Sequence, residues 1–368
     1  MYYRKRTCVF RYQCNGTQMA MSEISKKDVL QQNTIIRSQY TTYTVHKMIG
    51  TGRFSRVYNA SVVGTGTEVV IKALNNSCSS KKFNRKLYLK ELDLLNRLKF
   101  SRTRARYVQV TDAVQLQSGK ICFVMERLST TLQAVLHNIG PLPISICRPI
   151  VRQIAQGLAG LKCLGIVHAD LKPDNIMFCS EIGNNLLVKI IDFGWAFDMK
   201  NVHTMYHKKI QAIPYRAPEV CFQGSLDHGL DMWALGCIMP EIVTGVKLFD
   251  VSEEELLIKM IIRTLSVPKS FISHLQTDIQ ETKLTLGWIQ FQNLHTDMIR
   301  QRDKQWCEDI TWFVDLVYKM LMVMPEMRIT AAEALAHPFL TIMHFIKYPS
   351  TAMTKKNTEL MAKCVLDI

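Results

Sequence analysis

The chain has 368 residues, 48% hydrophobic and 21% charged, the composition of an ordinary globular protein long enough for two lobes. Its net charge of +15 suits acidic partners, but Lys and Arg are spread along the whole chain, so a solvated basic surface accounts for it and direct nucleic-acid binding is not expected. No uninterrupted apolar run reaches the roughly 18 residues of a membrane-spanning helix, and the eleven cysteines form no Cys-x-x-Cys pair or zinc-spaced cluster, which points to reduced thiols in the cytoplasm or nucleus.

Residues 1–42 are polar and basic without periodicity and read as a mobile tail; the apolar patch behind Arg4-Lys5-Arg6 is too short for a secretory core. Residues 43–60 read as strand, glycine turn, strand, and residues 68–74 as a third strand rich in Val and Ile. A helix is predicted over 82–99 from the spacing of Leu87, Leu94, Leu95 and Leu98, then two strands around a turn at 117–120. From residue 129 the pattern turns helical. One amphipathic helix spans 146–164 and stops at Gly165, and a buried one spans 231–243. Ser252-Glu-Glu-Glu255 and Thr330-Ala-Ala-Glu333 read as capping boxes, and residues 268–309 as an irregular insert. The fold class is α+β and bilobal: a β-rich lobe at 43–128, a helical lobe at 129–343 and a tail at 344–368.

The chemistry concentrates between the lobes. His168-Ala-Asp-Leu-Lys-Pro-Asp-Asn175 and Asp192-Phe-Gly194 space a candidate base (Asp170), a phosphate-facing cation (Lys172) and two hard-oxygen metal ligands (Asn175, Asp192) for phosphoryl transfer with Mg²⁺. This pattern resembles the protein-kinase catalytic loop and its metal-binding turn. Ile49-Gly50-Thr51-Gly52-Arg53-Phe54-Ser55-Arg56-Val57 is similar to the kinase glycine-rich loop, with Ser55 in place of the third glycine and Arg53 and Arg56 facing solvent. Period-two alternation puts Lys72 on an apolar strand face, and Glu91 shares a helix face with Leu94, Leu95 and Leu98. Two opposite charges on apolar faces are costly unless they meet, so the pair is expected, with Lys72 then holding the α- and β-phosphates of ATP.

Three strings narrow the resemblance. Ala169 replaces the usual arginine, the run Leu161–Met177 is very similar to that of homeodomain-interacting protein kinases, and Tyr215-Arg-Ala-Pro-Glu219 is typical of the group holding the cyclin-dependent, mitogen-activated and dual-specificity tyrosine-regulated kinases. The resemblance implies a Ser/Thr protein kinase using ATP and Mg²⁺, acting on protein substrates, with transcription-related partners and a nuclear or cytoplasmic location. It makes Met125-Glu126-Arg127-Leu128 the hinge, whose backbone bonds adenine, and pairs Glu219 with Arg328. The rival reading is a pseudokinase, a scaffold of the same fold that transfers nothing.

Departures from that family are specific. Lys209 stands where an activation-loop tyrosine is expected and Ile213 where its neighbouring arginine is, so with Ala169 no phosphate clamp is apparent. The activation segment is therefore expected to order by its own packing. Trp195, after Asp-Phe-Gly, is expected to crowd the metal loop.

Overall fold

The protein is described by a computed structural model covering residues 29–51, 55–74, 81–117, 119–182, 185–265, 267, 283–300 and 303–364. Six antiparallel strands form the small lobe: β1 (Ile35–Arg37), β2 (Thr42–Thr51), β3 (Ser55–Val62), β4 (Glu68–Leu74), β5 (Val110–Gln115) and β6 (Ile121–Glu126). Their order is β1-β2-β3-β4-β6-β5, with helix α1 (Lys81–Lys99) inserted between β4 and β5.

Alternation along the strands separates two faces. Val45, Tyr58, Ile71, Ala73, Cys122 and Val124 close a core on one side, whereas Phe123 turns to the other and joins the cluster that contains Leu94 and Leu98 of α1. Lys72, between Ile71 and Ala73 and opposite both Val57 and Phe123, is thus aimed at the face shared with α1.

The large lobe holds α2 (Leu132–Ile139), α3 (Ile144–Cys163), the short strands β7 (Ile166–Val167), β8 (Ile176–Phe178), β9 (Val188–Ile190) and β10 (Phe197–Asp198), then α4 (Pro218–Cys221), α5 (Gly229–Thr244), α6 (Glu254–Thr264), α7 (Leu286–Arg300), α8 (Lys304–Met320), α9 (Ala331–Ala336), α10 (Pro338–Thr341) and α11 (Ala352–Ala362). Helix α5 is apolar around its circumference and is correspondingly buried along most of its length. Trp233 within it begins a ring stack through Phe249 to Trp288. Gly160 in α3 lets the segment before β5 come close: a Cβ there would lie 1.9 Å from Thr103 Oγ1 and 2.5 Å from the Tyr107 hydroxyl.

Several expectations need correction. Residues 35–37, read as tail, form β1, because Leu30 and Ile36 bury in the small-lobe core; two short apolar pairs, Val29-Leu30 and Ile35-Ile36, in a polar run carry no periodic signal. The C-terminal stretch from 344 is folded onto the large lobe, with His344, Phe345, Asn357 and Cys364 buried. Part of the supposed insert is helical, since α7 and the start of α8 lie within it; residues 268–282 and 301–302 are outside the described residues. The Ser252 capping box does not form: α6 begins one residue later than that pattern requires, and Glu253 at its N-cap makes no side-chain cap bond. The Thr330–Glu333 box does form, with both reciprocal bonds. By composition, residues Pro325–Lys347 are long and apolar enough to cross a bilayer. In the structure they are separate short helical pieces, broken at His337 and at Ile342, whose φ is +55°.

Candidate active site

The hairpin β8–β9 aligns the two expected metal ligands. Asn175 immediately precedes β8 and Asp192 follows β9 by one residue, and Ile176 pairs with Ile190. The Ile191 N–H donates to the Asn175 carbonyl at 2.9 Å, so both side chains leave the same end of the ladder.

The preceding loop is held from below by α5. The Asp231 carboxylate accepts the backbone N–H of His168 (2.7 Å) and of Ala169 (2.9 Å), and the Ala169 carbonyl accepts the Gln211 N–H at 3.1 Å. These bonds hold Ala169 at φ +61°, a left-handed conformation that a non-glycine residue adopts only when its surroundings impose it. The His168 ring lies 3.0 Å from the Ile191 carbonyl through Nε2 and meets Phe193 edge-on at 5.0 Å. Phe193 is buried and also meets Tyr107 edge-on, anchoring the turn that carries Asp192.

Above this loop, Lys72 Nζ lies 2.7 Å from Glu91 Oε1 and 2.8 Å from Asp192 Oδ1. The expected strand–helix ion pair therefore forms, and the same ammonium reaches the large lobe. Burial opposes the Lys72 charge, but the two carboxylates outweigh it and hold the ammonium above the usual lysine range. Packing likewise works against the Asp192 charge, and Lys72 overrides it, so that carboxyl titrates below its usual range. Asp192 is nearly half exposed, and its Oδ1 takes the bonds from Lys72 and from the Gly194 N–H.

Asp170 gathers two donors on Oδ2: Lys172 Nζ at 2.9 Å and Asn175 Nδ2 at 3.0 Å. Asn175 Nδ2 also donates to the Asp170 carbonyl at 2.7 Å, which turns its amide oxygen away from Asp170. The donor set fits a small hard cation: an amide oxygen and a carboxylate are magnesium-type ligands, and Mg²⁺ commonly takes only one or two protein groups beside phosphate oxygens. Among the described residues no three His, Cys, Asp or Glu side chains converge as a metal site.

On the nucleotide side the picture is partial. Gly50 and Thr51 end β2, paired with Val57 and Arg56 of β3; Ser55 is buried and Ile49 half-exposed, while Gly52, Arg53 and Phe54 lie outside the described residues. Arg56 is half-buried rather than turned fully to solvent. Leu128 is buried where the chain leaves the sheet. Glu126 points its carboxylate at Lys189 Nζ (2.7 Å to each oxygen) and at the Gln109 N–H. Its side chain is thereby committed, leaving the backbone for recognition. Sequence reasoning missed Lys189, the direct Lys72–Asp192 bond and Gln211, for all three depend on partners far along the chain. Trp195, expected to crowd the metal loop, lies at the surface with 36% exposure. Glu219 and Arg328 pair through two bonds, at 2.6 and 2.9 Å, both fully buried.

Residues 43–340 match the protein kinase domain family model. The chain belongs to the protein kinase family. Among its relatives, homeodomain-interacting protein kinase 2 of Mus musculus is 29% identical over 374 residues, covering 91% of this chain and 31% of that protein. Homeodomain-interacting protein kinase 1 of Caenorhabditis elegans is 30% identical, covering 86% and 42%. Homeodomain-interacting protein kinase 4 of Homo sapiens is 31% identical over 242 residues, covering 65% and 38%. The chain thus spans between 31% and 42% of the length of these relatives. A crystal structure of a kinase domain superposes with a TM-score of 0.67 at 21% identity, over 85% of this chain and 98% of the other, and shows the common fold.

Proposed function

We propose that residues 43–343 act as a protein kinase domain that transfers the γ-phosphate of ATP to Ser or Thr hydroxyls of protein substrates. The observation that carries this reading is the Lys72 bridge from Glu91 to Asp192, which brings both lobes to one point beside Asp170. An ammonium positioned by one carboxylate from each lobe is suited to receive phosphate oxygens, and that is the role assigned to Lys72. Asp170, steadied by Lys172 and Asn175 on Oδ2, keeps Oδ1 to accept the proton of the attacking hydroxyl. Lys172 offsets charge on the phosphoryl group as it moves. Asn175 and Asp192 hold Mg²⁺, which when bound supplies positive charge at the phosphate oxygens. Gly50 through Val57 cover the phosphates, and the Glu126 and Leu128 backbone receives the adenine. Lys172 within Asp-Leu-Lys-Pro-x-Asn, and relatives named as homeodomain-interacting kinases, support the Ser/Thr assignment and transcription-related partners.

The test is transfer of labelled phosphate from ATP to a mixed peptide library, followed by mapping of the labelled residue. Wild type should label Ser and Thr, and Asp170→Asn and Lys72→Met should each lose at least about a hundredfold in rate. A wild-type protein whose thermal midpoint rises with ATP but which transfers nothing would be a nucleotide-binding scaffold instead.

A further inference from the structure

Between β10 and the Tyr215 turn the chain runs from residue 199 to 218 without a single carboxylate, while carrying Lys200, His203, His207, Lys208 and Lys209, all exposed. Half-buried Lys90 of α1 titrates below the usual lysine range, first through burial and then through repulsion by Lys208. Lys208 is positioned by its own turn, its N–H on the Met205 carbonyl and its Nζ 3.7 Å from the buried Met205 sulfur.

The carboxylates at the two ends of this run are already engaged. Asp198 is taken by Arg97 at 2.8 Å and by the Lys200 N–H, and Glu219 by Arg328. Among the described residues Lys90, Lys208 and Lys209 make no salt bridge. Like charges brought together without a counter-ion raise the local potential and favour an anion from outside. The face also borders the reaction centre, since Gln211, two residues past Lys209, bonds the Ala169 carbonyl beside Asp170.

We propose that Lys200, His203, His207, Lys208 and Lys209 form a docking face for an acidic or phosphorylated stretch of the protein substrate flanking the acceptor hydroxyl. The inference rests on the kinase reading above and adds a substrate class to it. Carboxylate and phosphate share the chemistry that would be recognised, and lysine ammonium groups accept either as point charges.

The experiment uses the full chain and one acceptor peptide with neutral flanks, compared with versions carrying Glu or phosphoserine at successive positions on each side. On one side of the acceptor, acidic peptides should show KM at least tenfold below the neutral peptide, falling toward it as salt rises. In Lys208→Glu/Lys209→Glu that KM ratio should collapse toward one. A larger gain with phosphoserine identifies phosphate as the preferred source, and equal gains identify negative charge alone. Equal KM for acidic and neutral peptides, or a double variant that keeps the full ratio, overturns the proposal. If no peptide is phosphorylated, the kinase reading fails by itself, and fluorescence anisotropy with the labelled acidic peptides still decides. Salt-sensitive binding lost in the double variant supports the docking face, and absence of binding removes it.

Discussion

One buried residue ties the catalytic loop, α5 and the Ala-Pro-Glu turn to its own segment. Gln211, at φ +61°, gives its N–H to Ala169 and its Nε2 to the Leu230 carbonyl (3.0 Å), and its Oε1 accepts the Ala217 N–H (2.9 Å). Its carbonyl accepts Arg216 Nη2, and Arg216 is in turn paired with Glu254. The catalytic loop, α5 and the Ala-Pro-Glu turn are therefore joined through Gln211. Replacing Gln211 by Ala strands the buried Ala217 N–H, at about 1–3 kcal/mol, and takes the side-chain donor from the Leu230 carbonyl. We predict that phosphatase-treated wild type keeps its transfer rate within about twofold, whereas Gln211→Ala falls at least about tenfold, about 1.4 kcal/mol of barrier. A phosphosite between Trp195 and Tyr215 whose removal abolishes activity would contradict this. The candidate site residues were legible because they lie in two short contiguous strings whose residue types have few other uses. Gln211 was not, since a glutamine in a loop carries no sign of the carbonyls it will meet.

At the scale of elements, what sequence pattern reveals is amphipathic contact with the interior. Helices α1, α3 and α5 were foreseen within about two residues, and Gly165, at φ +67°, ends α3 as its position predicted. Pattern fails where a short apolar pair adds an edge strand, as in β1, or where polar residues bury in pairs. The Tyr215–Glu241 contact between the activation segment and α5 is such a pair, at 2.7 Å. Burial raises the Glu241 carboxyl to about 7 from 4.5, its bond from the Tyr215 hydroxyl working the other way. The folded protein thus binds this proton more tightly than the unfolded chain. The group's favourable contribution is complete below about pH 4.5 and is lost as pH rises through 7, a swing on the order of 3 kcal/mol. Glu241→Gln keeps an acceptor for Tyr215 but cannot ionise. Relative to wild type, the variant should gain on the order of 2–3 kcal/mol in urea unfolding at pH 8 over pH 5. A difference between the two proteins that does not change with pH would show that Glu241 ionises freely in the fold.

For the whole molecule, the C-terminal segment acts as a clasp across the large lobe, and α3 is its anchor. Arg148, with no exposed side-chain surface, bonds Asp309 of α8, the Phe339 carbonyl and Asn357 of α11, and its guanidinium lies over the Phe339 and Phe345 rings. His344 approaches the same Asp309 carboxylate at 2.9 Å. Arg106, ahead of β5, reaches the Cys364 carbonyl at 3.1 Å, and Gln305 reaches Thr354 at 2.8 Å. Removing residues 349–368 takes one acceptor from each of two buried arginines, and hydrogen bonds to charged groups are worth roughly 1.5–3 kcal/mol apiece. We predict that the truncated chain is destabilised by about 3–5 kcal/mol in urea unfolding, with Asn357→Ala reproducing about 1–3 kcal/mol of it. Because α3 runs through Gly165 directly into β7 and the catalytic loop, the truncated chain should also lose transfer activity on warming before the full chain does. If truncation leaves the urea midpoint unchanged, the segment merely lies on the lobe, and Arg148 is satisfied by Asp309 and Phe339 alone.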